Sequence, residues 1–140
     1  MEWVIKQPKK GDIIRTKVKF YHHYGIFVDE ENIIQFGFRD NSGVNPETIE
    51  VLSTDIKTFC DGAPFETAEL TVKEKLKRKS VKETVQTAQS TLGQRGYNIL
   101  HNNCEHFVNK CVFGEAQSSF LNNARDEIRA KLSKTKIDTK

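Results

Sequence analysis

The sequence is poor in cysteine: its 140 residues include only Cys60, Cys104 and Cys111. An odd and small number argues against the disulfide framework of small secreted domains, and the spacing lacks the paired Cys-x-x-Cys of a zinc ribbon. We therefore expect at least one free thiol.

Long apolar runs are also missing, and stretches such as residues 25–28 fall far short of the roughly 18 apolar residues that cross a bilayer. Residues 1–10 carry charge but no apolar stretch of the kind found in a secretory signal peptide. The glycine-rich phosphate-binding patterns G-x-x-x-x-G-K and G-x-G-x-x-G do not occur. We expect a cytoplasmic protein with no transmembrane segment and no nucleotide cofactor.

Charge is unevenly distributed, although the net charge is only +3. Residues 29–69 hold ten acidic and two basic side chains, which leaves the rest of the chain at +11. Basic residues concentrate in three clusters, at positions 6–19, 73–82 and 125–140. Such clusters most often form solvated surface, and they also suit contact with the phosphates of an anionic membrane or a nucleic acid.

The residue pattern predicts strands in the first half of the chain and helices in the second. Segments rich in β-branched and aromatic residues predict strands at 12–18, 21–28, 33–38, 48–52 and 65–72, the second and third forming a hairpin. Capping residues and helical spacing predict a short helix after residues 53–55 and longer helices at 80–93, from Cys104 onwards, and at 119–132. This order favours an α+β fold in which an antiparallel sheet packs against helices.

Cys104 lies where one of these helices begins, directly after Asn102 and Asn103, which are both suitable N-caps. The free N–H groups at a helix start favour a thiolate, so this position is expected to lower the pKa of the thiol. The alternative is a buried structural residue, because Cys104, Phe107 and Cys111 also fit an apolar stripe along the helix.

A nucleophilic thiol needs a base, and the sequence has four histidines. His106 lies two residues after Cys104, about 200° around the helix, which predicts a place on the exterior or behind the site. His101 is a weaker candidate. His22 and His23 are neighbours on a predicted strand, so only one of them can face the helix.

Gln35 is the candidate to orient that base. If the paired positions of the hairpin sum to an even number, His23 and Gln35 share a face as diagonal neighbours. The glutamine would then accept a hydrogen bond from one imidazole nitrogen and leave the other to take the thiol proton. With an odd sum, Gln35 is an ordinary polar residue of a strand.

A zinc site would use the same part of the chain, because His101, Cys104, His106 and Cys111 offer suitable ligand atoms. Their spacing matches no common ligand pattern, and a helix would direct Cys104 and His106 to different sides. We expect no metal and no other cofactor.

Two segments resemble a known family. Residues 20–28, FYHHYGIFV, resemble the H-box, and residues 103–109, NCEHFVN, resemble the NC-box of the lecithin:retinol acyltransferase-like family. That family is related to NlpC-type hydrolases and implies a circularly permuted papain-like fold. The resemblance implies a single domain over residues 1–132, followed by a basic tail at 133–140 that frays.

The resemblance also implies roles for individual residues. Cys104 would be the nucleophile and His23 the base, because the family's histidine directly precedes the aromatic position held here by Tyr24. Gln35 stands where many members have a second histidine. The implied activity is acyl transfer of the phospholipase or acyltransferase type through an acyl thioester on Cys104. The implied partners are a lipid or another acyl ester and, through peripheral contact, an anionic membrane surface.

Two other functions stay open at this point. One is a cysteine peptidase or amidase of the NlpC type. The other is a non-enzymatic interaction protein, similar to the H-box and NC-box proteins of some picornaviruses, which would bind RNA or a host protein. For the enzymatic functions, hydrolysis and transfer to an amine both fit the residues.

Overall fold

A computed structural model describes residues 1–18, 21–37, 49–96 and 103–114. The elements of these ranges, in chain order, are β1 (Glu2–Val4), β2 (Asp12–Val18), β3 (Tyr21–Asp29), β4 (Asn32–Gly37), β5 (Glu50–Thr54), α1 (Ile56–Cys60), β6 (Phe65–Glu69), α2 (Val72–Lys77), α3 (Val81–Ser90) and α4 (Cys104–Phe113). The strands form an antiparallel sheet in the order β1-β6-β2-β3-β4-β5. The predicted α+β class is confirmed, and the circular permutation of a papain-like fold stays a prediction.

Side chains alternate across the sheet and form two apolar layers. The larger layer lies on the face that packs against α4, here called the α4 face, and includes Ile13, Ile26, Ile34, Phe36, Val51, Phe107, Val108 and Val112. The smaller layer lies on the opposite face, here called the α1 face, and contains Ile14, Phe27, Ile33, Phe59 and Cys60. Helix α4 and helix α1 therefore cover opposite faces of the same strands.

The hairpin of β3 and β4 has the register on which the candidate site depends. Gly25 pairs with Gln35, and Ile26 pairs with Ile34. Both pairs sum to an even number, which is the condition for His23 and Gln35 to share a face. The register places both side chains on the α1 face.

The pairing of β3 with β4 ends at Gly25, whereas β3 continues alongside β2. The Phe27 carbonyl accepts the Gly11 N–H, so the odd-numbered residues of β3 direct their main-chain groups toward β2. The even-numbered residues His22 and Tyr24 direct theirs toward the other edge, beyond the end of the β4 ladder. This edge is where the helix that carries Cys104 meets the sheet.

The strand predicted over residues 65–72 is shorter, because β6 ends at Glu69 and a helix follows. The Thr71 hydroxyl accepts the Glu74 N–H at 3.1 Å, and the Glu74 carboxylate accepts the Thr71 N–H at 2.9 Å. This capping box begins α2 and outweighs the strand propensity of Val72. The edge strand β1 was not predicted, because its three residues are too few for an alternating pattern to be recognised.

Several expectations fall on residues that the structure does not describe. They are the helix at 119–132, the tail at 133–140 and the domain boundary between them. Among the described helices, none has the length and apolar character needed to cross a bilayer.

Candidate active site

Cys104 is the first residue of α4, and Asn103 caps that helix. Asn103 Oδ1 accepts the His106 N–H at 2.9 Å, and His106 Nδ1 accepts the Asn103 N–H at 3.3 Å. This reciprocal capping box confirms the predicted helix start. His106 is only 3% exposed, so it lies behind the site as part of the cap and not on the exterior.

The Cys104 thiol is buried against the main chain of β3. Its Sγ lies 4.0 Å from the His22 carbonyl oxygen, a long S–H···O contact, and the Tyr24 N–H also hydrogen bonds to the sulfur. These are the main-chain groups that extend beyond the β4 ladder. The sulfur therefore lies at the edge of β3, directly beside residue 23.

Burial raises the pKa of the Cys104 thiol to about 11. Hydrogen bonds from the main-chain N–H groups of Tyr24, Cys104 and Glu105 act in the opposite direction, while the Glu105 carboxylate raises the pKa further. The helix start thus has the predicted effect, but burial outweighs it, and the expectation of a lowered pKa is wrong. At neutral pH the resting group is a protonated thiol, which needs a base to become a nucleophile.

His23 lies on the α1 face of β3, where its ring centroid is 5.2 Å from that of Phe59. Its Nε2–H donates a hydrogen bond to Gln35 Oε1. Gln35 Nε2 in turn donates to Thr54 Oγ1 at 2.6 Å. These bonds orient the amide oxygen toward the imidazole, so the neutral ring carries its proton on Nε2 and leaves Nδ1 as an acceptor.

Burial lowers the pKa of His23, and the hydrogen bond with Gln35 opposes this effect. The imidazole is therefore neutral at neutral pH, which is the state that a general base requires. Burial thus favours the neutral form of both groups, which is the protonated thiol of Cys104 and the singly protonated imidazole of His23.

Two glycines make room for this arrangement. A Cβ atom at Gly37 would lie 3.1 Å from Cε1 of His23 and 3.3 Å from Oε1 of Gln35. A Cβ atom at Gly25 would lie 2.8 Å from Cε2 of Phe59. The absence of a side chain at both positions lets the imidazole pack closely against the amide and the phenyl ring.

Strand alternation places His22 on the α4 face and His23 on the α1 face. The histidine that faces helix α4 is therefore His22. Burial lowers the pKa of His22 most, and the charge of Arg15 lowers it further. His23 is instead the histidine that Gln35 orients, and the sulfur lies at the strand edge between the two faces. The catalytic roles of Cys104, His23 and Gln35 stay predictions.

The remaining members of the predicted constellation lie apart from this group. Cys60 and Cys111 are buried free thiols in the two apolar layers, and burial raises the pKa of each, that of Cys111 to about 12. His101 lies outside the described residues. Among the residues described, no three His, Cys, Asp or Glu side chains converge as metal ligands would.

Two contributors to the site were missed by the sequence analysis. Thr54 reaches Gln35 because β5 pairs Leu52 with Gln35, a register that no local pattern encodes. Gly37, a glycine at the end of a predicted strand, was the one local signal that another group approaches the main chain closely.

Comparison with known proteins decides the family. A family model described as lecithin retinol acyltransferase matches residues 6–117. The chain belongs to the lecithin retinol acyltransferase family. Residues 20–28 and 103–109, which carry His23 and Cys104, both lie inside the matched range.

The similar proteins in the lecithin retinol acyltransferase family include lecithin retinol acyltransferases and a phospholipase A and acyltransferase 3. The chain is 26% identical to lecithin retinol acyltransferase of Rattus norvegicus and 28% identical to that of Bos taurus, each over 127 residues, 75% of this chain and 54% of the relative. It is 27% identical to phospholipase A and acyltransferase 3 of Homo sapiens over 123 residues, 81% of this chain and 76% of the relative. The chain thus spans about half the length of the two lecithin retinol acyltransferases.

Replacing Gln35 by glutamate is expected to raise the pKa of His23. A carboxylate that accepts the Nε2–H stabilises the imidazolium, whereas the wild-type ring has a pKa below its ordinary value of 6.5. We expect an upward shift of about 1 unit or more, measured by NMR titration of the His23 ring. Gln89→Glu, which adds the same charge at an exposed position of α3, is the control and leaves the titration unchanged. An unshifted His23 pKa in Gln35→Glu would contradict the hydrogen bond between His23 and Gln35.

Proposed function

We propose that this chain is a thiol-dependent acyl-transfer enzyme that acts on a lipid or another acyl ester. The observation that carries the proposal is the position of the Cys104 thiol against the main chain on both sides of His23, a neutral histidine oriented by Gln35. Family membership supports it, since the relatives are named lecithin retinol acyltransferase and phospholipase A and acyltransferase 3.

In the proposed mechanism, Nδ1 of His23 takes the thiol proton as Sγ of Cys104 attacks the carbonyl carbon of the ester. The N–H groups of Cys104 and Glu105 at the helix start stabilise the negative charge that develops on the carbonyl oxygen. Collapse of the tetrahedral intermediate breaks the ester C–O bond, and the alcohol leaves with the proton from the imidazolium. The acyl group remains on Cys104 as a thioester.

The second half of the cycle releases the acyl group. Water or an amine attacks the thioester carbonyl while His23 accepts a proton from the attacking group. The C–S bond then breaks, and the proton returns to Sγ. Because the resting thiol has a pKa of about 11, proton transfer to His23 accompanies the attack and does not precede it.

Intact-protein mass spectrometry tests this proposal. Incubation with a short-chain activated ester, and separately with a short-chain phospholipid, is expected to add one acyl group to Cys104. Cys104→Ala loses the adduct, and Cys60→Ala, which removes a different buried thiol, keeps it. No adduct with either compound, or an equal adduct in Cys104→Ala, would overturn the proposal.

Incubation with a peptide amide and an RNA-binding measurement separate the alternatives. An adduct formed from a peptide amide but not from an ester favours the peptidase or amidase. An unreactive Cys104 together with strongly salt-dependent binding to RNA favours the non-enzymatic interaction protein.

Helix α2 supports the peripheral contact with an anionic membrane that we propose for this protein. Val72 is 76% and Leu76 83% exposed, and their spacing of four places both on one side of the helix. Lys73 and Lys75 flank this apolar stripe, and Glu74 lies on the opposite side, where its carboxylate closes the helix cap. Aliphatic side chains between lysines suit the boundary between lipid headgroups and acyl chains.

The location of α2 separates this surface from the candidate active site. The Lys79 N–H, just after α2, donates to the Val112 carbonyl at 2.7 Å. Val112 lies near the C-terminal end of α4, whereas Cys104 begins that helix. The lysines of α2 would therefore hold the protein at a membrane and would not bind the headgroup of a reacting lipid.

Sedimentation with phosphatidylcholine vesicles, with and without phosphatidylserine, tests the membrane contact. Binding is expected to require phosphatidylserine and to weaken with salt. Leu76→Ser should weaken binding about tenfold, since a buried leucine contributes about 1.5 kcal/mol or more. Leu92→Ser, at an exposed leucine outside α2, is the control. Equal binding to neutral vesicles, or no effect of Leu76→Ser, would contradict this role of α2.

A further inference from the structure

The main-chain N–H groups in the first turn of α4 have two kinds of hydrogen-bond partner. Those of Asn103 and His106 are bonded within the reciprocal capping box. Those of Cys104 and Glu105, which lie between them in the chain, hydrogen bond to the Cys104 sulfur. The cap thus holds the outer pair of N–H groups while the inner pair faces the candidate nucleophile.

The acceptor in this box is unusual. The residue at the third helical position of a capping box is ordinarily glutamate or glutamine, which accepts through a side-chain oxygen. Here His106 accepts through Nδ1, so the neutral ring carries its proton on Nε2. The side chain is buried in the cap, close behind the thiol in sequence but directed away from it around the helix.

We propose that His106 is a positioning residue of the candidate active site. By accepting the Asn103 N–H, it fixes the first turn of α4 so that the N–H groups of Cys104 and Glu105 point at the sulfur and at the acyl oxygen. The part of this inference that concerns the acyl oxygen rests on the proposed function. The part that concerns the sulfur does not, because the Cys104 thiol can be examined without an acyl substrate.

The ability to accept a hydrogen bond distinguishes a positioning role of His106 from simple filling of space. Asparagine at position 106 can place its Oδ1 where the accepting Nδ1 of the imidazole lies, because both atoms are bonded to Cγ. Leucine has the same branched shape as asparagine but carries a methyl group at that place and accepts no hydrogen bond. The pair His106→Asn and His106→Leu therefore tests the hydrogen bond with nearly matched shape.

Two measurements on each variant test the proposal: the pH dependence of iodoacetamide alkylation at Cys104, and kcat and KM with the ester that forms the adduct. His106→Asn is expected to match the wild type in both. His106→Leu is expected to raise the apparent pKa of the thiol and to lower kcat about tenfold to 100-fold with little change in KM. Circular dichroism and thermal unfolding verify that each variant is folded.

Two results would overturn the proposal. One is a folded His106→Leu with wild-type alkylation and kcat, and the other is a folded His106→Asn as impaired as His106→Leu. If His106→Leu does not fold, Asn103→Gly replaces it, because glycine retains an acceptable N-cap while removing the other half of the box, and it is expected to shift the alkylation profile upward. A shifted profile in a protein whose wild type forms no acyl adduct would refute the proposed function while leaving the positioning of the sulfur intact.

Discussion

Replacing His23 by alanine is expected to lower kcat/KM for acyl transfer by about 10²- to 10⁴-fold, the range that a positioned general base contributes. The thiol of Cys104 has a pKa of about 11 and is protonated at neutral pH, so without the imidazole it has no base to remove its proton. In the wild type, the rate is expected to fall as pH drops through the lowered pKa of His23, because a protonated imidazole cannot act as a base. Initial rates and acyl-adduct formation across a range of pH check both statements.

The neighbouring histidine provides the control. His22→Ala changes the same kind of side chain one position away, on the opposite face of β3, and is expected to retain activity within a few-fold of the wild type. If His22→Ala has the larger effect, the base faces the helix and the assignment of His23 is wrong. If neither substitution slows adduct formation, the thiol reacts without a histidine.

Replacing Phe36 by alanine is expected to lower the free energy of unfolding by about 3–5 kcal/mol. Phe36 is 2% exposed and contacts Phe107 of α4 edge-on, with ring centroids 6.5 Å apart. The substitution leaves a cavity between the sheet and the helix that carries Cys104, so it removes buried area and packing together. Urea denaturation measures the loss.

An exposed leucine provides the comparison for this core substitution. Leu92 is 47% exposed, and Leu92→Ala is expected to change the free energy of unfolding by no more than about 0.5 kcal/mol. A loss below about 1 kcal/mol for Phe36→Ala would mean that α4 does not depend on this contact.

Local sequence determines how the two halves of the candidate site begin. Asn103 is a strong N-cap, and the apolar spacing after it defines α4, so the helix start at Cys104 was predictable from a few residues. The alternation of side chains along the hairpin was equally predictable. The register of the hairpin was not predictable, because the even pairing of Gly25 with Gln35 depends on the turn. The shared face of His23 and Gln35 could therefore be predicted only as a condition on that register.

Properties that depend on the packed interior were not predictable from the neighbouring residues. The helix start should lower the pKa of Cys104, but the layers around it, contributed by β3, β4 and α4, raise that pKa to about 11. Alternation likewise could not choose between His22 and His23, since it cannot reveal that the β4 ladder stops beside residue 23 and that the sulfur lies at the resulting edge.

The short helix α2 illustrates a different reason for error. Thr71 and Glu74 form a capping box that is visible in the sequence, yet Val72 follows a strand and continues its β-branched pattern. Two local signals competed, and the hydrogen bonds of the cap decided the outcome.

The buried, protonated state of Cys104 has a consequence for oxidative damage. Hydrogen peroxide reacts with thiolates and hardly with thiols, and it reaches exposed sulfur faster than buried sulfur. A nucleophile that acquires its negative charge only while an acyl group is being attacked is shielded from oxidation during the long intervals between turnovers. The same burial that, in the proposed mechanism, makes Cys104 dependent on His23 would thus preserve the thiol in a cell under peroxide stress.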